Sequence, residues 1–155
     1  VTRLLLLLLV LVLGGPAIAE SCAPDRVDLR GDWGRASFTV EVSDTPETRA
    51  RGLMYRKKMD RFAGMLFVFD APMHARFWMK NTLIPLDMLF LGPDGRVRRI
   101  VENAEPQSLE PRDGGPGVAY VLEINGGTAA RLGIAPGNAL RHPRIDSETA
   151  AWPCP

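Results

Sequence analysis

Residues 86–104 read LDMLFLGPDGRVRRIVENA. Two runs rich in β-branched and other apolar residues flank Gly92-Pro93-Asp94-Gly95. Proline presets φ for a turn, glycine supplies positive φ, and an aspartate side chain can accept from the backbone. The segment therefore predicts a β-hairpin. Upstream, GMLFVFD (64–70) is a continuous apolar run of strand length, which predicts a strand buried on both faces. ARFWMK (75–80) is a further strand candidate. SFTVEVS (37–43) alternates, with Phe38, Val40 and Val42 on one face and Ser37, Thr39, Glu41 and Ser43 on the other. Downstream, GVAYVLEIN (117–125) puts Val118, Tyr120, Leu122 and Ile124 on one face and Ala119, Val121, Glu123 and Asn125 on the other. NALRH (138–142) predicts a closing strand.

Two short helices interrupt this pattern. DTPETRARGLM (44–54) offers Asp44 or Thr45 as N-cap, Pro46 in the first turn, Glu47 near the positive helix end and Gly52 as a stop. GTAARLG (127–133) has Thr128 near its start and Gly133 at its end. Strands without a repeated long helix between them predict a mainly β fold: a compact, jelly-roll-like β-sandwich or barrel with two short helices. The domain is expected over residues 36–142, after an irregular leader (20–35) and before a C-terminal tail (143–155), with His142 exposed at the domain's end.

The first residues carry Arg3, an apolar run from Leu4 to Leu13, the breakers Gly14-Gly15-Pro16 and the small-x-small triplet Ala17-Ile18-Ala19. That order is the anatomy of a secretory signal peptide over residues 1–19. The run is shorter than the ~20 residues a membrane span needs, so no stable membrane span is expected after cleavage. Glu20 and Ser21 before Cys22 make a poor lipobox. The reading is an exported protein, periplasmic or extracellular. Export permits a disulfide, and Cys22 and Cys154 are the only two cysteines. Spacing alone leaves open whether they pair or stay free.

Lysine and arginine total 19 against 18 aspartates and glutamates, a formal charge of +1. No basic excess exists to neutralise phosphates, so no nucleic-acid partner is expected. Two histidines and two cysteines are too few for a zinc finger or ribbon. Gly114-Gly115-Pro116-Gly117 lacks the lysine and following helix of a phosphate loop, and no nucleophile elbow or His-Glu-x-x-His occurs. No cofactor is expected.

RGLMYRKKM, GMLFVF, FWMKNTLIPLDMLFL and EINGGTAARLGI occur in that order. Together they closely resemble the exported proteins of domain-of-unknown-function family 192, over about residues 37–142. The resemblance implies a compact, jelly-roll-like, mainly β fold. It carries no activity, and it gives no role to the matching Arg51, Gly52, Met65, Phe67, Trp78, Lys80, Asn81, Pro85, Asp87 and Glu123.

The segment FWMKNTLIPLD (77–87) sets polar residues beside aromatics. As a strand it would point Phe77 and Met79 inward and Trp78 and Lys80 together to the other face. An indole beside a cation and an amide can hold a polar ring by stacking and hydrogen bonds. Trp78, Lys80, Asn81, Asp87 and Glu123 are therefore the candidate ligand-binding residues, for a small polar ligand, a glycan or an envelope protein. The competing readings are structural, with Trp78 as loop cover and Asp87 and Glu123 as counter-ions for Arg51, Arg56 and Lys80. Asp87 and Glu123 are also the minimum pair of carboxylates for hydrolysis of an envelope carbohydrate. All six methionines (54, 59, 65, 73, 79 and 88) fall near His74, a set of soft donors that could suit copper(I), although methionine in apolar strands is usually a gap filler.

Overall fold

The computed structural model of the protein describes residues 21–155. The expected signal peptide, residues 1–19, lies outside the described residues. The elements run β1 (Arg26–Gly31), β2 (Gly34–Ser43), α1 (Pro46–Arg51), β3 (Ala63–Phe77), β4 (Leu86–Leu91), β5 (Val97–Ala104), β6 (Arg112–Asn125), α2 (Thr128–Leu132) and β7 (Ala139–Arg141). The fold is mainly β, as expected. Its seven strands form one sheet, curled into a half-barrel, in the order β5-β4-β6-β3-β2-β1-β7. The edge strands meet at one end: Val97 N–H donates to the Asn138 carbonyl and Leu140 N–H to the Gly95 carbonyl, both at 2.9 Å, and Arg96 bridges Ala139. Joining the edges leaves fewer open backbone groups to recruit another chain.

The quoted hairpin forms, with β4 and β5 antiparallel. Its turn needs glycine at position 95 twice over. The backbone there has φ +73°, and a Cβ would lie 2.8 Å from the Leu140 carbonyl oxygen. α1 also forms as expected. Thr45 is its N-cap within a capping box with Thr48, Pro46 opens it and Gly52 closes it.

Two apolar clusters hold the sheet. One face of all seven strands supplies the first, including Val27, Leu29, Phe38, Leu66, Leu89, Leu122 and Leu140. The other face of β3, β4 and β6 supplies the second, through Met65, Phe67, Met88, Phe90 and Val121, capped by Leu53 and Met79. GMLFVFD is therefore buried on both faces. β2 and β3 pair in parallel, in a sheet whose other pairs are antiparallel. A parallel pair needs a crossover. Residues 44–62 make it, carrying α1 and Leu53 toward the second cluster.

Four expectations need correction. Residues 26–31 are not an irregular leader but β1, which pairs with β2 and buries Val27 and Leu29; Gly31 and Gly34 mark a hairpin turn rather than a break. GMLFVFD and ARFWMK belong to one strand, β3. Its register shifts between Val68 and Arg76 absorb Asp70, Ala71 and Pro72, which break the apolar pattern. Residues 143–155 are not a loose tail: Ile145 joins the first cluster, and Trp152 is buried beneath Arg30 and Arg141, each guanidinium 4.4 Å from the ring centre. His142 is buried, because the returning tail places the Arg144 N–H on its Nδ1 at 3.1 Å, leaving Nε2 to donate to the Pro24 carbonyl at 3.0 Å.

Cys22 and Cys154 form a disulfide, with Cα atoms 5.8 Å apart across a sequence separation of 132. It ties the two ends beside β1 and β7. Constraining so long a loop in the unfolded chain is expected to contribute about 2–4 kcal/mol. Reduction, or Cys154→Ser, should lower the unfolding free energy from urea titration by that amount, with a lower midpoint and an unchanged native circular dichroism. An unchanged midpoint would show that Trp152 and its arginines hold the tail unaided.

Candidate functional site

The crossover and β3 together make a cleft. On one side stand Arg49, Arg51, Gly52, Leu53 and Met54 of α1 and its exit; on the other stand Phe67, Phe69, Met73, Arg76 and Phe77 of β3. Trp78, Lys80 and Thr82 from the segment after β3 and Glu123 of β6 complete the lining. The volume is about 320 Å³, at the small end of the roughly 300–1,000 Å³ typical of ligand sites.

Three phenylalanines stiffen this wall. Phe77 stands edge-on to Phe67 at 5.0 Å, to Phe69 at 6.4 Å and to Phe90 at 5.8 Å between ring centres. Edge-to-face packing suits the ring quadrupoles. Gly52 has to be small here. A Cβ would approach Phe67 Cζ to 3.2 Å, and its φ is +48°. Arg49 is held in place, donating to the Asp44 carbonyl at 2.7 Å and the Val68 carbonyl at 2.9 Å, and pairing loosely with Asp70. Arg51, Arg76 and Lys80 are exposed and form no ion pair among the described residues.

The structure brings three of the five candidate residues to this cleft: Trp78, Lys80 and Glu123. Trp78 and Lys80 do not share a strand face, because β3 ends at Phe77. They meet through the turn that follows, where Lys80 Nζ lies 5.0 Å from the Trp78 ring centre. Trp78 is 50% exposed. Met79, between them, is buried in the second cluster.

Asn81 and Asp87 lie outside the lining. Asn81 adopts φ +55° and donates from Nδ2 to Tyr55 Oη at 2.8 Å, while its carbonyl accepts from Tyr55 N–H, also at 2.8 Å. It fastens the exit of the crossover to the turn after β3. Asp87 is fully buried and accepts three backbone N–H groups: Asn103 at 2.7 Å, Gly127 at 2.9 Å and Ala129 at 2.7 Å. α2 begins at a glycine cap that offers no side chain. Asp87 supplies the missing acceptor from β4, at the helix end where backbone donors are unsatisfied.

Glu123 is equally buried but unpartnered. Only 4% of it is exposed, and among the described residues it makes no side-chain hydrogen bond or ion pair. It lies opposite Met65 on β3 and Met88 on β4. Burial alone pushes its carboxyl up to about 8 from an ordinary 4.5, so it is a neutral acid at neutral pH.

Both readings of the carboxylate pair therefore change. Asp87 and Glu123 do not face a common cleft, since backbone amides consume Asp87, and among the described residues Glu123 is the only carboxylate in the lining. Neither is a counter-ion of Arg51, Arg56 or Lys80: Arg56 instead makes a two-pronged pair with Glu41. The sulfur donors are also dispersed. Met65, Met79 and Met88 are buried in the second cluster with Met59 against it, while Met54 and Met73 line the cleft. His74 pairs with Asp113 at 2.7 Å. Among the described residues no cluster of three or more His, Cys, Asp or Glu side chains could hold a metal ion. No helix there is long and apolar enough to cross a membrane.

A family model, DUF192, "Uncharacterized ACR", matches residues 27–142. That span contains all of β2 to β7, β1 except its first residue, and every residue of the cleft. The chain belongs to the DUF192 family. A crystal structure of a protein of unknown function from Novosphingobium aromaticivorans shares 44% identity over 74% of this chain and 82% of its own, with a TM-score of 0.73. Another, from Sinorhizobium meliloti and named only as a candidate transcription regulator, shares 48% identity over 77% and 94%, with a TM-score of 0.72. No curated protein matches the chain.

Within this DUF192 domain, Arg49, Arg76, Phe67, Phe69 and Phe77 were not singled out from sequence as site residues. Their signal was the helix-length segment 44–54 between two strands, whose crossover puts α1 opposite β3.

The two buried carboxylates should respond differently to substitution. Asp87→Ala strands three donors, each costing about 1–3 kcal/mol when left unpaired, so the loss of stability should reach several kcal/mol. A loss below about 0.5 kcal/mol, the usual range for a surface site, would contradict the cap.

For Glu123 the folded pKa lies above the unfolded one. Between about 4.5 and about 8 the fold holds a proton that the unfolded chain has released, so stability falls as pH rises through that window. Glu123→Gln should remove this decline and exceed the wild type by a few kcal/mol above pH 8. Parallel stability–pH curves for the two proteins would refute the assignment.

Proposed function

We propose that this DUF192 protein is an exported, non-catalytic binding module whose cleft holds a small ligand by stacking and hydrogen bonding. One observation carries the reading: Trp78, half exposed, lines a preformed cleft walled by Phe67, Phe69 and Phe77. A large apolar side chain left open beside an aromatic wall is a feature of recognition sites. The disulfide supports export, since such bonds persist in oxidising compartments.

The lining refines the ligand. Polar hydroxyls set against three phenylalanines would lose hydrogen bonds to water without replacement. The cleft therefore favours a ring with an apolar face and few polar groups over a fully hydroxylated sugar. The glycosidase alternative lacks its second carboxylate in the cleft. The name of the Sinorhizobium protein finds no support here either. The charge balance of 19 to 18 gives no phosphate-binding excess, and helices of 6 and 5 residues offer no recognition helix.

The test is Trp78→Ala beside the wild type, in thermal unfolding with a panel of ring compounds and glycans. A half-exposed tryptophan should cost about 1–2 kcal/mol on truncation, against the ~3–5 kcal/mol of a fully buried one. Ligand-induced stabilisation seen in the wild type should shrink or vanish in the variant. A wild type that responds to nothing, together with a variant that unfolds far more easily, would make Trp78 structural cover and end the binding reading.

A further inference from the structure

Two features of the cleft stand out. Arg51, Arg76 and Lys80 line it with three positive charges that make no salt bridge among the described residues; Lys80 lies over the Trp78 ring, and Arg76, opposite Asp113 on β6, feels that carboxylate's charge without a direct ion pair. Glu123, more than nine-tenths buried, ends in the same cleft with no hydrogen bond. We infer that the cleft takes a small organic acid, an apolar or aromatic body carrying one carboxylate, with the body on Phe67, Phe69 and Phe77, the carboxylate at Arg51, Arg76 and Lys80, and a further ligand oxygen accepting from Glu123. This rests on the binding reading above and adds the ligand's charge.

The assignment of groups follows from their surroundings. Arginine forks and a lysine on an exposed rim match a carboxylate by charge-assisted hydrogen bonds. Arg49 does not join them, because two carbonyls already occupy it. A cationic ligand would meet three like charges. A neutral ligand would leave all three unused. Glu123 fits the same ligand only because it is uncharged: burial holds its proton to about pH 8, so it donates a hydrogen bond and does not repel an anion. It is also the group in this cleft that titrates near neutrality. The charged side chains around it are Arg49 and Arg51 from α1, Arg76 from β3 and Lys80 after β3, all of them cationic residue types. β4 contributes Met88 opposite Glu123 and no charged side chain to the lining. His74 and Asp113 pair with each other outside it, and Asp113 also stands opposite Arg76 and feels its charge.

The experiment titrates the full chain with three compounds sharing one body: 2-naphthoate, 2-naphthalenemethanol and 2-naphthylmethylammonium. Calorimetry gives affinity, and the indole and phenylalanine ring resonances give location. At about pH 6, naphthoate should bind at least about tenfold tighter than the alcohol, with the ammonium weakest. Arg51→Gln combined with Arg76→Gln should erase the naphthoate advantage and leave the alcohol's affinity unchanged. Raising the pH to about 9.5 ionises Glu123 and should weaken naphthoate binding several-fold in the wild type but not in Glu123→Gln.

Equal affinity for naphthoate and the alcohol would overturn the acid preference while leaving a binding cleft. Tightest binding of the ammonium would overturn it too, making Glu123 an anionic partner. Failure of all three to shift the Trp78 and phenylalanine resonances would remove both this inference and the binding reading.

Discussion

The cleft depends on one pairing, the parallel contact between β2 and β3. An antiparallel neighbour could have followed β2 through a two-residue turn, whereas a parallel one requires the chain to cross the sheet before it starts again. Residues 44–62 make that crossing, and they bring α1, Leu53 and Met54 to the second face of β3. Without them Met65, Phe67 and Met88 would be wet, at about 1.5–3 kcal/mol per large side chain. The same crossover lines the cleft, facing Phe67, Phe69 and Phe77 of β3. Core and candidate site are thus two parts of one consequence. The capping box at Thr45 and the glycine at position 52 fix where the crossover starts and where it turns down.

β4 and β6 each carry a buried carboxylate, and their fates differ for a geometric reason. Asp87 is short and reaches the start of α2, where the glycine cap leaves amides unsatisfied. Three N–H donors replace its hydration. Glu123 projects to the opposite side, near Met65 and Met88, where no donor among the described residues hydrogen-bonds to it. Its hydration is not replaced, so it keeps its proton. Residue type predicts neither outcome. Neighbouring backbone does.

This explains what could be read from the chain. The hairpin at 86–104, the alternation of 37–43 and the caps of α1 depend on neighbours within a few residues, and all three are visible in sequence. β1 was obscured because Gly31 and Gly34 read as interruptions, although they bound a hairpin turn. β3 was split because Pro72 sits inside it, and only the register shifts against β6 show how the strand continues. Trp78 and Lys80 were paired correctly for the wrong reason, a strand alternation that ends one residue too early. Asp87 was separated from the site by amides of residues 103, 127 and 129, and no local pattern announces contacts that distant. The disulfide depended on whether the two ends of the chain meet, which only the closure of the sheet decides.

A locally consistent sequence would place leucine at 123 and balance the rim with carboxylates. This chain does neither. An unpartnered acid among methionines and phenylalanines costs stability above its unfolded pKa, and Arg51, Arg76 and Lys80 line one cleft without a salt bridge among the described residues, offset only by the Trp78 ring under Lys80 and the Asp113 charge opposite Arg76. Such departures from consistency are expected where a site is kept for something other than folding. The surrounding structure is arranged to tolerate them. The Phe67–Phe77–Phe90 stack fixes the wall, Asn81 pins the turn to Tyr55, and Asp87 secures the loop after β6 from the other face. The phenylalanines form the wall themselves, whereas Asn81 and Asp87 hold neighbours of the cleft while staying out of its lining. Of the polar groups that remain inside, Arg49 and Thr82 are held by backbone carbonyls, while Glu123 has no hydrogen-bond partner among the described residues.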